Sequence, residues 1–265
     1  MTETAQFSHE QALTGGRVMT VTWAGATDQG RKRENNQDAF LAEFPLFVVA
    51  DGMGGHAGGE IASNAAVSEL AAVVSAGAVT PGTIETALAR ATEQITSHPE
   101  ATDEGTGTTL TGIFLTEVEG ESLWMSLNIG DSRVYLVRGD GIVQVTTDHS
   151  VVQELIASGR LSPEEAEGHP YSNVITRAVG VSEHGVPDYV AVAPEDGDVF
   201  IICSDGLTKE LTDYGLLHFV REMTGPGHAV DAMMAAALEN GGRDNVTLIV
   251  VQLRVDSSTA GEGAD

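Results

Sequence analysis

Cysteine is almost absent from this chain: there is one, Cys203, in 265 residues. A single cysteine permits no intramolecular disulfide, which suits a reducing compartment. Basic residues are scarce too. Lys and Arg number 13 against 39 Asp and Glu, a formal charge of −26. So acidic a chain repels phosphate backbones and anionic lipid surfaces, which argues against nucleic-acid and membrane partners. No apolar run approaches the ~20 residues that span a bilayer. The start, MTETAQFSHEQALTGGR, lacks a basic segment followed by an apolar one and does not read as a signal peptide. The expectation is a soluble cytoplasmic protein; nothing calls for an oligomer, so a monomer is expected. Interdomain linkers and repeats of solenoid length are also missing. With 42 % hydrophobic residues, the chain has enough apolar material for one sizeable core. Residues 1–19 and 255–265 read as flexible tails, the second acidic, flanking a domain at 20–254.

What is present is a succession of strand-like runs. Val18 to Ala24 alternates in part, and Leu46 to Ala50 is continuous apolar, as in a strand buried on both faces. Thr108–Leu115, Ser122–Ile129, Val134–Val137, Val199–Cys203 and Val246–Leu253 are rich in β-branched or bulky apolar residues. Gly139-Asp140-Gly141 reads as a hairpin turn into Ile142–Val145. Helical spacing links Ile61, Ala65, Leu70 and Val73, and again Ile84, Leu88, Ala91 and Ile95. Ser150 with Gln153 reads as a helix start, Ser162-Pro163 as another, and 231–238 as an Ala- and Met-rich helix. Strands and helices do not alternate one for one. The pattern predicts an α+β fold with helix-covered sheets, not a Rossmann-like layout.

One local pattern recurs: an apolar strand ends in an acid beside glycine. Phe47-Val48-Val49-Ala50 leads to Asp51-Gly52, Asn128-Ile129-Gly130 to Asp131, and Ile201-Ile202-Cys203-Ser204 to Asp205-Gly206. Asp244 precedes the last strand. Asp-Gly is an ordinary turn dipeptide, and Asp140-Gly141 is read as only that. The other acids follow runs that look fully buried, where a carboxylate needs an offset for its lost hydration. Several carboxylates gathered together repel unless cations neutralise them, and an all-oxygen set suits Mg²⁺ or Mn²⁺ over Zn²⁺. Residues 28–38 (DQGRKRENNQD) form the most basic short stretch, read as an anion clamp with an Arg fork for phosphate.

Seven motifs stand in order: RxxNQDA (Arg33 to Ala39), VADGMGGHAGGE (Val49 to Glu60), GTTLT (Gly107 to Thr111), IGDSRVYL (Ile129 to Leu136), TDHS (Thr147 to Ser150), CSDGL (Cys203 to Leu207) and GRDNVT (Gly242 to Thr247). Together they resemble the metal-dependent protein serine/threonine phosphatases of the PP2C (PPM) family, bacterial type, over residues 20 to 254. The resemblance implies a β-sandwich of two antiparallel sheets flanked by helices. It implies two Mn²⁺ or Mg²⁺ ions per active site. Asp51 bridges them, the Gly52 carbonyl joins one, and Asp205 and Asp244 complete the second; Asp131 holds a third, weaker ion. Arg33 binds the substrate phosphate and Asp38 hydrogen-bonds metal-bound water. Residues 149–177 match the family's flap. The implied partners are phosphorylated proteins, among them a Ser/Thr kinase and its substrates.

Two residues depart from the family pattern. Gln37 stands where many relatives have Glu, and Met53 where many eukaryotic members have a His. His56, three residues on in a Gly-rich loop, reads as readily as a structural hydrogen-bonder as a general acid, and the proton donor stays unassigned. Among other reaction classes, a cysteine phosphatase is disfavoured because Lys209, not Arg, stands six residues after Cys203, and a serine hydrolase because G-x-S-x-G is missing. A pseudophosphatase would lack one of Asp51, Asp205 and Asp244, which are all present. A two-metal hydrolase of small phosphate esters remains an alternative.

Overall fold

Apolar residues on alternate positions of β2 (Val18–Asp28) turn Met19, Val21 and Trp23 inward, and the same period organises every long strand. The computed structural model describes residues 4–14, 16–54, 57–99, 105–166, 168–181 and 185–256. One sheet runs, in space, β1 (Phe7–Ala12), β2, β12 (Val246–Asp256), β11 (Val199–Cys203), β8 (Arg133–Arg138) and β9 (Gly141–Gln144). The other runs β10 (Asp188–Val192), β7 (Glu121–Ile129), β6 (Leu110–Val118), β4 (Leu46–Met53) and β3 (Asp38–Glu43), with β5 (Gly107–Thr108) beside β4. All pairings are antiparallel.

The sheets pack face to face, as the resemblance implies. Between them lie Trp23, Phe47, Trp124, Phe200, Ile202 and Ile249. Each such side chain, fully buried, contributes roughly 1.5–3 kcal/mol. The outer faces are also covered. Helix α1 (Gly58–Ser75) packs on β4 and α2 (Pro81–Ser97) packs on α1, with Leu70, Ile84 and Leu88 in one cluster with Leu46 and Val48. On the other side α5 (Asp205–Thr208), α6 (Asp213–Glu222) and α7 (Pro226–Asn240) cover Ile201 and Cys203 through Leu207, Leu216 and Met233. Strands β4 and β11 are therefore buried on both faces, the reason their sequences are continuously apolar.

Residues 149–177 leave the sheets and return. Ser150 bridges Ile175, and Thr176 N donates to the His149 carbonyl, so the ends of this segment are pinned together. It carries α3 (Val151–Ala157), whose Ser150 cap accepts from Gln153 N, and α4 (Pro163–Ala166).

The N-terminal stretch departs from the expected tail. Phe7–Ala12 forms β1 on the edge of the first sheet, and Thr4 Oγ1 donates to Asp231 Oδ1 at 2.6 Å. Its polar sequence hid it, because an edge strand with solvent on both faces needs no alternation. Strand β12 extends to Asp256, past the expected boundary; residues 257–265 of the expected C-terminal tail lie outside the described residues, as does His56. Among the described residues no helix is long and apolar enough to cross a membrane.

Candidate active site

The recurring strand-then-acid pattern delivers its carboxylates to one end of the sandwich. Strands β3 and β4 pair with Asp38 directly opposite Asp51, so both side chains leave the same face of the same sheet. Asp131 follows β7. From the other sheet, β11 hands Asp205 to the first position of α5, and Asp244 stands two residues before β12. Arg33, Asp51, Gly52, Asp131, Asp205 and Asp244 line one cleft of about 400 Å³. Asp38 lies beneath it, 8 % exposed. Sequence reasoning thus named seven residues that the fold brings together. Asp140, read as a turn residue, sits far out on the surface paired with Arg221.

The motifs supply the scaffold around these acids. Thr109 Oγ1 accepts from Asp51 N and shares a 2.8 Å hydrogen bond with Ser132 Oγ, tying the GTTLT and IGDSR segments together. Asn245 holds the basic loop: its Nδ2 donates to the carbonyls of Gln29 and Asn35, and its Oδ1 accepts from Gln37 N. The loop must come close, since a Cβ at Gly30 (φ 76°) would meet the Asp244 carbonyl at 2.1 Å. Gly52 is hemmed in likewise: a Cβ there would lie 2.1 Å from the Gly59 carbonyl oxygen and 2.5 Å from that of Gln37. Ser204 Oγ donates to Asp38 Oδ2 at 2.8 Å and accepts from Thr247 N.

Crowding dominates the electrostatics. Burial, then the neighbouring acids Asp38, Asp205, Asp131 and Asp244, hold the Asp51 carboxyl well above the usual carboxylate range. Burial likewise pushes Asp38 up to about 6 and, with Asp205 and Asp148 nearby, Asp131 up to about 7. Asp244 goes the other way. Burial alone would raise it, but the Arg33 hydrogen bond and Lys209 outweigh that and hold it below its ordinary value. Arg33 grips Asp244 with two nitrogens, Nε at 2.7 Å and Nη2 at 2.9 Å. Lys209 Nζ lies 2.5 Å from Asp205 and 3.1 Å from Asp244. Sequence reasoning did not assign Lys209 to the site; its i,i+4 spacing from Asp205 was the available signal.

Five carboxylates thus face two cations. Among the described residues no three acidic, histidine or cysteine side chains close on one point as a ready-made ion cage; Arg33 and Lys209 lie on the carboxylates instead. The donor set nonetheless fits divalent cations. It is all oxygen, the Asp38, Asp51 and Asp131 carboxyls resist ionisation without added positive charge, and the buried Asp38 Oδ1 and Asp205 Oδ1 lack a hydrogen-bond partner.

Comparison with known proteins identifies the family. The family model described as "Protein phosphatase 2C" matches residues 27–240. The chain belongs to the protein phosphatase 2C family. The protein phosphatase PhpP of Streptococcus pneumoniae is 35 % identical, covering 88 % of this chain and 97 % of that protein. The crystal structure of the Mycobacterium tuberculosis serine/threonine phosphatase PstP/Ppp superposes with a TM-score of 0.78 at 34 % identity, over 88 % of this chain and 99 % of that one. The catalytic domain of the serine threonine protein phosphatase PstP, solved in complex with two manganese ions, gives a TM-score of 0.78 at 31 % identity, over 89 % and 99 %. Within the protein phosphatase 2C fold, Cys203 has no share in the cleft. It is fully buried in the core under α5, and burial pushes its thiol up to about 12.

Proposed function

We propose that this protein hydrolyses phosphoserine and phosphothreonine in proteins with the help of two divalent cations, Mn²⁺ or Mg²⁺. The observation that carries the reading is the gathering, from both sheets, of five carboxylates whose charge two cations leave uncompensated. Asp51, the Gly52 carbonyl, Asp205 and Asp244 are the residues that would hold the two ions, and Asp131 a third. When bound, such ions lower the pKa of water and offset charge on the phosphoryl oxygens. The chain's own groups do the rest. Arg33, half exposed at the rim, donates to the substrate phosphate. Asp38, with its unpartnered Oδ1, accepts a hydrogen bond from the attacking water and orients it. Water adds to phosphorus in line with the ester oxygen, the P–O bond breaks, and the serine or threonine oxygen leaves with a proton. No phosphorylated side chain is required.

The reading extends to the setting: a cytoplasmic monomer that opposes a Ser/Thr kinase and acts on that kinase's substrates. The test is hydrolysis of a phosphothreonine peptide by the wild type and Asp205→Asn, each with Mn²⁺ or EDTA. Activity is expected only for the wild type with Mn²⁺. Equal activity under all four conditions overturns the two-metal reading.

A further inference from the structure

Among the described residues, Lys209 is the one cation that touches two of the proposed metal-holding carboxylates. It follows the single turn of α5 that begins at Asp205, and its backbone N donates to the Asp205 carbonyl, so the ammonium is carried back over that acid. Arg33, by contrast, grips Asp244 alone. We infer that Lys209 is a resident competitor for the metal ions: its ammonium occupies Asp205 and Asp244 in the metal-free protein and leaves when those carboxylates take up an ion. The inference rests on the metal reading above.

Two observations support it. First, an ammonium 2.5 Å from Asp205 Oδ2 fills the place an ion would take on that oxygen, and two cations there would repel strongly in a partly desolvated cleft. Second, it has somewhere to go. Lys209 lines both the acidic cleft and an adjoining groove of about 520 Å³ flanked by α3 and α4, where Val152 and Pro163 form part of the wall. A flexible four-carbon stem crosses from one to the other by side-chain rotation alone. Metal uptake is then an exchange of cations, and occupancy has a threshold that a site without Lys209 lacks.

The experiment titrates Mn²⁺ calorimetrically into the EDTA-stripped, desalted full chain as wild type, Lys209→Met, Lys209→Arg and Asp205→Asn. Acetylation of the Lys209 amine in the wild type is followed in parallel by mass spectrometry, with and without Mn²⁺. Removing the competitor should tighten Mn²⁺ binding about tenfold in Lys209→Met, equivalent to ~1.4 kcal/mol. Lys209→Arg should stay near the wild type. In the wild type the amine should be protected without metal and become several-fold more reactive with it. Unchanged or weaker Mn²⁺ affinity in Lys209→Met overturns the inference. So does tighter binding with an amine equally reactive in both states, which would mean that Lys209 acts only through its field. If Lys209→Met does not fold, the wild-type acetylation decides alone. If Asp205→Asn binds Mn²⁺ as the wild type does, the metal reading itself falls. If Asp205→Asn loses binding while Lys209→Met matches the wild type, only the role of Lys209 falls.

Discussion

Replacing Asp38 by Asn should stabilise the metal-free protein at pH 8 while abolishing turnover. Burial raises the folded-state carboxyl from the ordinary 3.8 to about 6. The difference, roughly two units at 1.36 kcal/mol each, is about 3 kcal/mol. Above pH 6 the group is ionised in both folded and unfolded chains, and the folded state bears the whole cost of burying that charge. As pH falls through 6 the folded protein takes up a proton that the unfolded chain does not, so the wild type recovers stability. Below 3.8 both states are protonated and the cost is gone. Asn has no charge to bury, and its side-chain oxygen can still accept from Ser204 Oγ. The variant should therefore exceed the wild type by about 3 kcal/mol at pH 8 in EDTA, with the margin closing between pH 6 and pH 4. Urea denaturation at pH 8, 6 and 4.5 measures it. A loss of stability of the same size at all three values would refute the reasoning, because a purely steric or hydrogen-bonding effect carries no such pH dependence.

Three further outcomes follow from the site. Gly52→Ala places a Cβ against backbone on more than one side, 2.1 Å from the Gly59 carbonyl oxygen. It should cost about 1–3 kcal/mol or more and weaken Mn²⁺ binding, read by thermal melts and calorimetry. Arg33→Ala should raise KM for a phosphothreonine peptide roughly tenfold with a smaller change in kcat, as loss of a charge-assisted phosphate contact does; a steep fall in kcat at constant KM contradicts the clamp. Cys203→Ala should retain turnover, and the native thiol should resist alkylation until urea unfolds the chain, since Cys203 is fully buried and its pKa raised.

The acids were legible in the sequence because a buried strand that ends in a carboxylate is chemically conspicuous. Asp51, Asp131 and Asp205 stand out for that reason, and the fold delivers all three to one cleft. The doubly buried strands β4 and β11 were legible on the same ground. Strands β1 and β10 were not: both lie at sheet edges with largely exposed side chains, so no apolar periodicity marks them. Helix α6 was missed because Gly215 interrupts a pattern whose only fully buried member is Leu216. Lys209 escaped notice for a different reason. One partner, Asp205, is a helical turn earlier, but the other, Asp244, stands 35 residues further on, and only the folded chain brings it to the ammonium. The same holds for Asn245, whose three hydrogen bonds reach segments more than 200 residues away in sequence.

Strand β12 lies between β2 and β11, in the interior of its sheet, yet of the strands it is the last to be synthesised. On a translating ribosome the β1–β2 hairpin and β11 emerge well before the strand that joins them. That sheet stays in two pieces until the chain has passed residue 246. Asp244 and Asn245 lead directly into the joining strand, so sheet closure and assembly of the acidic cleft are one event. A nascent chain that has made only Asp38, Asp51, Asp131 and Asp205 already has the second sheet to place the first three, but lacks the strand that ties β11, and Asp205 after it, to β2. Topology thereby defers completion of the cleft to the last strand made.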